Sequence, residues 1–579
     1  MALRNEYPRP QMRRNEWITL NGSWQFCFDD EDKGLKNKYY DGDFENKLNI
    51  EVPFSYQYPE SGIGQTEYHP YIWYKREFSL TAEQLKQNVL LCFNGVDYKC
   101  DVWVNGMHVG SHTGGFAPFT CDITPAVKKE NTITVRCFDS LDTSVPRGKQ
   151  SWLNHKFGCW YVPNSGIWQS VWIEFFNKDA IKNLTFTPDI DTCSVSGELS
   201  TFYGKCEKAE FVITYKGSPV KTQEITLDGK ITRFSIKLMD LDFVDESFLW
   251  SPEHPNLFDV TVEAGIGGER ADFVTMRFGM RKISVDDSGN ICLNNLKLYQ
   301  RLILDQGYFG QSGLTPPSAE SLKQDILLAK AMGFNGARKH QKLEDPYFYY
   351  YADELGFLTW CEMPSAYNFN SEEQTNLITE WQEIVGVAKC FSSVLCYVPL
   401  NESWGVRKIL VDKNQQNFAR AMYYITKSQD GSRLVSTNDG WENLTETDII
   451  SIHDYAYDGN DFEERYKKDG LDALYPSNRK LMSYGNKYQG QPVLFTEFGG
   501  IAMQTENSFD GDWGYNSKAG SNEEFYTRYG NLLHAVNKMW FQGFCYTQLT
   551  DVQQEINGLL DKNHKPKFDV EKIKKLTLG

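Results

Sequence analysis

The chain has 579 residues, 41% of them hydrophobic and 24% charged, the balance of an ordinary globular protein that is too long for one core and predicts about three or four domains. A net charge of −17 repels nucleic acid and anionic membrane and excludes both as partners, and no apolar run approaches the roughly 20 residues of a membrane span. The 13 cysteines are scattered, odd in number and without a C-x-x-C pair, a pattern of reduced thiols and not of a disulfide or zinc framework. With no signal-peptide core at the start of the sequence, this predicts a cytoplasmic protein.

Residues 1–178 read as β throughout. Short alternating runs such as Val89-Leu90-Leu91-Cys92-Phe93, Asp101-Val102-Trp103-Val104 and Thr132-Ile133-Thr134-Val135 are separated by Asn21-Gly22, Asn105-Gly106 and Gly114-Gly115 turns. So many short strands without helical periodicity predict a jelly-roll sandwich. Residues 179–281 repeat the texture, with Glu210-Phe211-Val212-Ile213-Thr214-Tyr215 and Phe258-Asp259-Val260-Thr261-Val262, over the length of an immunoglobulin-like β-sandwich. After Arg281 strand and helix alternate. Ser321 to Met332 has helical spacing, Phe334 to Arg338 is strand-like, Asp345 to Leu355 is helical, and Phe357-Leu358-Thr359-Trp360 is again a strand. About eight such units fill residues 282–579, predicting a C-terminal (β/α)8 TIM barrel.

Two glutamates carry the most information. Glu402 follows the apolar run Val394-Leu395-Cys396-Tyr397-Val398, and Glu497 follows Pro492-Val493-Leu494-Phe495. The C-terminal tips of buried parallel strands are where barrels place their chemistry, and two carboxyls on separate strands are the equipment for acid/base and nucleophilic attack on a glycosidic bond. The aromatic content of 14% suits stacking on sugar rings, although large β domains also use such residues as core.

Several segments together resemble glycoside hydrolase family 2, the group of β-galactosidases, β-glucuronidases and β-mannosidases. Leu20-Asn21-Gly22-Ser23-Trp24-Gln25-Phe26, Val102-Trp103-Val104-Asn105-Gly106, Gly114-Gly115-Phe116-Ala117-Pro118-Phe119, Arg147-Gly148-Lys149-Gln150 and Ser165-Gly166-Ile167-Trp168-Gln169 resemble that family's sugar-binding domain. Asn401-Glu402 resembles its acid/base pair and Thr496-Glu497-Phe498-Gly499 its nucleophile segment. The resemblance implies Glu402 as acid/base, which must then be protonated near neutral pH through a raised pKa. It implies Glu497 as nucleophile, Asn401 as partner of the substrate 2-hydroxyl, and Tyr455, in Ile452-His453-Asp454-Tyr455, as donor to the nucleophile. His453 beside it is expected to bind sugar or to be a satisfied loop histidine. Asp305 after the first strand, Arg338 and His340 after the second, and Glu362 ending the third lie where barrel loops gather around substrate, with Arg338 and Glu362 also able to brace the carboxylates by ion pairing. Trp404 and Tyr546 are candidate stacking platforms, as are Trp360 and Trp513; Trp160 and Tyr161 sit in a long first-domain loop that could reach the barrel.

The departures concern specificity. The family's Arg-x-Ser-His-Tyr-Pro pattern stands here as Arg338-Lys339-His340-Gln341-Lys342-Leu343, with Gln341 at the substrate histidine. The Asn-x-Lys by which family β-glucuronidases hold a uronate aligns on Glu555 and Asn557, and a glutamate there repels a uronate. The expectation is therefore a retaining exo-β-glycosidase acting on a neutral, β-galactoside-type terminal sugar of a small glycoside or oligosaccharide. Other sugars (α-L-arabinopyranoside, β-glucuronide or galacturonide) and a non-catalytic carbohydrate-binding homologue are the alternatives. No cofactor and no metal are expected, since no H-E-x-x-H or clustered carboxylate spacing demands one. The family's habits leave a homo-oligomer open.

Overall fold

The computed structural model describes residues 4–239, 246–503 and 511–579. The first domain is a jelly-roll-like sandwich of two antiparallel sheets. One has six strands (Leu48–Val52, Gly22–Phe28, Tyr71–Ser79, Glu130–Phe138, Lys99–Val104, Met107–Thr113) and the other four (Trp17–Thr19, Val171–Phe176, Asn88–Phe93, Phe119–Asp122). Alternate residues face inward, so Trp24, Phe26, Ile50, Leu91, Val102, Val135 and Ile173 make one core between the sheets. The Asn105-Gly106 turn has both residues at positive φ, 52° and 79°, which matches the right-handed twist of its flanking strands. The second domain packs a three-stranded sheet (Ile181–Asp189, Ser194–Thr201, Ile231–Lys237) against a four-stranded one (Ser218–Thr226, Lys208–Tyr215, Phe258–Ile266, Glu269–Phe278), an immunoglobulin-like sandwich.

The third unit is a TIM-like sheet of eight parallel strands: β1 (Gln300–Asp305), β2 (Gly336–Lys339), β3 (Leu358–Glu362), β4 (Val394–Val398), β5 (Leu434–Val435), β6 (Ile450–Asp454), β7 (Val493–Gly499) and β8 (Gly543–Thr547). Strands β2, β3, β4, β6, β7 and β8 are buried at every position, as a parallel sheet covered on both faces requires. Leu302, Leu304, Leu358, Trp360, Leu494 and Cys545 fill the interior, while Ile303, Ala337, Cys361, Phe495 and Phe544 face the helices. Main-chain ladders run from β5 through β1 to β6; at the remaining β5–β6 seam the loop after β5 reaches across, with Gly440 donating to Ser451 Oγ at 2.9 Å and His453 donating to the Gly440 carbonyl at 3.0 Å. Helices α1 (Ala319–Ala331), α2 (Pro346–Leu355), α3 (Ser371–Ala388) and α4 (Lys413–Gln429) each begin on a side-chain N-cap, from Ser318, Asp345, Asn370 and Asp412.

The first domain is locked to the barrel mouth. Arg147 and Gly148 both donate backbone N–H to the Ser365 carbonyl at 3.0 Å, Tyr367 donates to the Gly148 carbonyl, and Phe116 N–H donates to Glu380 of α3 at 2.7 Å. All 13 cysteines are unpaired, and no described helix is long and apolar enough to cross a membrane.

Burial pushes the Glu380 carboxyl up to about 8. Its folded pKa lies above the ordinary carboxylate value, so its contribution is complete in acid and is lost as pH rises through about 8. Glu380→Gln keeps an acceptor for Phe116 without the charge. The stability advantage of the variant in denaturant unfolding should be smallest near pH 4, grow between about pH 5 and 8 by up to about 1.4 kcal/mol per pH unit, and level off above about 8; a difference independent of pH would contradict the assignment.

Candidate active site

The site is built around one guanidinium. Arg338 alternates into the barrel on β2 and is fully buried. Its Nε lies 3.0 Å from Glu362 of β3, its Nη1 3.0 Å from Glu497 of β7 and 2.9 Å from Asp439 after β5, and its Nη2 donates to Asn401 Oδ1 at 2.6 Å. A planar fork can serve four acceptors on four strands at once, which an ammonium cannot.

Glu497 reaches this centre through a β-bulge. Phe495 and Phe498 pair with Phe544 and Tyr546 on β8, and Ile452 and His453 of β6 pair with Phe495 and Glu497. One extra residue at Thr496–Glu497 therefore breaks the alternation and turns the glutamate inward while both flanking phenylalanines face the helices. Its second oxygen accepts from Tyr455, whose ring is stacked on Tyr515 with centroids 3.4 Å apart. Glu402 sits just past β4 in left-handed backbone, with φ of 51° and Ser403 at 58°. The conformation costs non-glycine residues about 1–2 kcal/mol each and is held by Glu402 N–H to the Asp439 carbonyl at 2.8 Å and Ser403 N–H to Asn438 at 3.0 Å. It aims the Glu402 carboxyl back over the barrel axis. One oxygen of Glu402, one of Glu497 and a ring nitrogen of His453 lie within 4.8 Å of one another.

The electrostatics overturn one expectation. Burial works to raise the Glu402 carboxyl, but His453 Nδ1 at 2.9 Å, with the Lys149 charge nearby, holds it well below the ordinary carboxylate range. The resting residue is ionised, where an acid with a raised pKa was expected. His453 moves the other way: burial lowers it, and Glu497, Asp439 and Glu402 together lift it above the ordinary imidazole value. Burial drives His340 well below its ordinary value and Glu362 up to about 8, the latter in spite of Arg338. His340 is thus neutral beside a largely protonated Glu362, with Nδ1 3.0 Å from its carboxyl.

Of the residues read from the sequence, Glu402, Glu497, Asn401, Arg338, His340, Glu362, His453 and Tyr455 come together here, and Trp404 Nε1 donates to Glu402 at 3.3 Å. Asp305 does not join them. It follows Ile303 in alternation, faces out of the barrel, and is bound to Lys339 at 2.6 Å in a buried chain that continues through Glu344 to Lys342. Tyr546 is also turned outward, packed against Phe498 and Tyr529, so no sugar can stack on it. Trp360 is barrel core, with Nε1 on Gln300 at 2.8 Å. His453 is not open to sugar at either ring nitrogen, because Nε2 lies 2.8 Å from Asp439 and Nδ1 is taken by Glu402. The first-domain loop does reach the mouth. Trp160 packs edge-on to Trp404 at 5.1 Å, Tyr161 donates to Glu555, and Trp513 pins the loop by donating to the Gly158 carbonyl at 2.9 Å. Asp439 was missed by sequence reasoning, although Asn438-Asp439-Gly440 is a polar cluster following a strand. Lys149, whose charge faces Glu402 and Glu555, and Tyr515 are further wall residues without a sequence signal.

Glu402, His453 and Glu497 are close enough to share an ion, but the donor set does not fit one. Both His453 nitrogens and both Glu497 oxygens are already engaged, and a dication would stand beside the Arg338 and His453 charges.

A parallel barrel with a carboxylate pair across its mouth, carrying two β-sandwiches at its N-terminal side, defines a multidomain glycosidase-type architecture. Residues 18–173 match the family model described as glycosyl hydrolases family 2, sugar binding domain, and residues 180–281 match that of glycosyl hydrolases family 2. The chain carries the two β domains of glycoside hydrolase family 2. It is 24% identical over 456 residues to a β-galactosidase of Thermoanaerobacter pseudethanolicus, covering 76% of this chain and 58% of that protein. It is also 24% identical over 482 residues to a putative β-glucuronidase of Formosa agariphila, covering 79% and 54%. The chain thus spans little more than half the length of these relatives. A crystal structure of Ruminococcus gnavus β-glucuronidase superposes with a TM-score of 0.79 at 20% identity, covering 99% of this chain and 98% of that one, which establishes the shared fold.

Removing the central cation should be costly. Arg338→Met leaves Asp439 and Glu497 buried without their counter-charge and Glu362 without its donor, and should destabilise the barrel by about 3–5 kcal/mol in denaturant unfolding. Arg338→Lys, lacking the fork, should recover less than half of that. Wild-type stability in the methionine variant would contradict the arrangement.

Proposed function

We propose that the protein is a retaining exo-β-glycosidase that hydrolyses terminal β-linked sugars through a covalent intermediate on Glu497. The observation that supports this reading best is the approach of a Glu402 oxygen to within 4.8 Å of a Glu497 oxygen, close to the separation of about 5–5.5 Å at which the second carboxylate attacks the anomeric carbon directly, with no room for an intervening water. Arg338 and Tyr455 hold Glu497 by both oxygens, so it is pre-oriented for attack. Glu402 delivers a proton to the leaving oxygen and later takes one from water. Trp404 and Trp160, on the Glu402 side, form the wall against which the leaving group is placed.

For the sugar we favour a neutral, β-galactoside-type ring. Glu555 is held by Tyr161 and by Asn557 at 3.0 Å, and its charge at the position aligned with uronate recognition opposes a uronate. A β-glucuronide is the second reading, favoured by the Lys149 charge close to Glu555. We also propose a cytoplasmic location, in keeping with 13 unpaired thiols.

A panel of p-nitrophenyl β-galactoside, glucoside, glucuronide, galacturonide, mannoside and fucoside and α-L-arabinopyranoside, assayed with wild type, Glu402→Gln and Glu497→Gln, tests the reading. One dominant sugar is expected, with turnover falling about 10²–10⁴-fold in each variant, and azide should rescue Glu497→Ala with inversion. Undiminished rates in both glutamine variants would refute it, and silence on every substrate would favour a carbohydrate-binding homologue.

A further inference from the structure

Resting on the glycosidase reading, we propose that His453 is a positioning residue that stores the proton Glu402 donates, so that the reactive acid is a Glu402–His453–Asp439 relay and not an isolated carboxyl. Three observations converge on it. His453 is fully buried, and its two nitrogens lie 2.9 Å from Glu402 Oε1 and 2.8 Å from Asp439 Oδ1. A ring between two carboxylates carries hydrogen on both nitrogens. The other charged groups facing it are Glu497 at 3.6 Å and Arg338, whose Nη1 is 3.3 Å from Nε2; neutral His340 and Lys149 lie beyond Glu402.

The ring is fixed in register by its surroundings. Its backbone N–H donates to the Gly440 carbonyl and its carbonyl accepts from Ser477 at 3.1 Å. Gly440 has φ of 109°, and a β-carbon there would come within 2.8 Å of Nδ1. Trp441 closes another side, edge-on at 5.6 Å.

The proton balance closes without an outside donor. At rest Glu402 is a carboxylate and His453 an imidazolium. As the glycoside enters, the Nδ1 proton passes to Glu402 Oε1, leaving neutral His453 as the Nε2–H tautomer, which Asp439 stabilises. Glu402 gives that proton to the glycosidic oxygen while Glu497 forms the bond to the anomeric carbon and the leaving group departs as an alcohol. In the second half Glu402 takes a proton from water as the water oxygen bonds to the anomeric carbon and the Glu497 ester breaks. The proton then returns to Nδ1, restoring the resting pair.

His453→Gln can still donate a hydrogen bond to Glu402 but cannot store a mobile proton. Its kcat/KM should fall at least ten times further on a methyl or alkyl glycoside of the preferred sugar than on the 2,4-dinitrophenyl glycoside, whose leaving group needs no proton. The alkaline limb of its pH profile should move acidward by about one pH unit or more. Independently, ¹⁵N-histidine NMR should show His453 doubly protonated in the free wild type near pH 7; the signal is assigned by its loss in His453→Gln or, should that chain not fold, by its shift in Glu402→Gln. An active wild type whose alkaline limb is unmoved in His453→Gln, with both substrates equally impaired, or a neutral His453 in the free enzyme, overturns the proposal alone. A wild type inactive on all glycosides overturns the glycosidase reading and the proposal with it.

Discussion

The Arg338 guanidinium is the constraint on which the mouth of the barrel depends. Three carboxyl groups and an asparagine oxygen, each on or just past a different strand, converge on it, and its charge helps hold the buried Asp439 ionised at that depth. The fork sets where each acid points. It leaves Glu497 one oxygen for Tyr455, places Asp439 under His453, and thereby fixes the ring that faces Glu402. The positions of the two glutamates are linked through one cation and one imidazole.

The same network explains why the two glutamates differ. Glu497 is held on both oxygens, by a permanent cation and by a phenol. The hydrogen bonds to Glu402 come from a titratable ring and a neutral indole, His453 and Trp404, with the Lys149 charge farther off. A carboxyl beside an imidazolium is a poor acid by itself, but the pair together holds the one proton that the reaction requires, and such coupled groups titrate as a unit.

The three-part fold was legible because it is written in periodicity. Period-2 runs broken by Asn-Gly turns give way after Arg281 to helix–strand alternation, the same succession of β-sandwiches and parallel barrel that the fold shows. The two glutamates that meet at the barrel mouth were legible in the sequence because each ends an apolar run. Facing direction was not. Asp305 and Tyr546 stand at strand tips as expected but on the outward side of the pleat, a one-residue difference that flips a side chain across the sheet. Glu497 points inward only because of a bulge at Thr496, which no local signal announces. The low resting pKa of Glu402 was hidden for a related reason: the residue that sets it is 51 positions away in sequence, across the β5–β6 seam. Asp439 lies in the loop after a strand of only two residues, Leu434–Val435, too short to read.

The first sandwich is not a bystander. The 147–161 loop is fastened to Ser365 on one side and to Trp513 and Gln554 on the other, and it supplies the Trp160 and Tyr161 walls, so the shape of the pocket is set by docking between domains. The most direct measurement of the account is to treat the protein with a 2-deoxy-2-fluoro glycoside of the preferred sugar bearing an activated leaving group, then locate the label by peptide mass spectrometry. A stoichiometric adduct on Glu497, formed as activity disappears, is the predicted result; an adduct on any other residue, or inactivation-free turnover with Glu497 unlabelled, would contradict it.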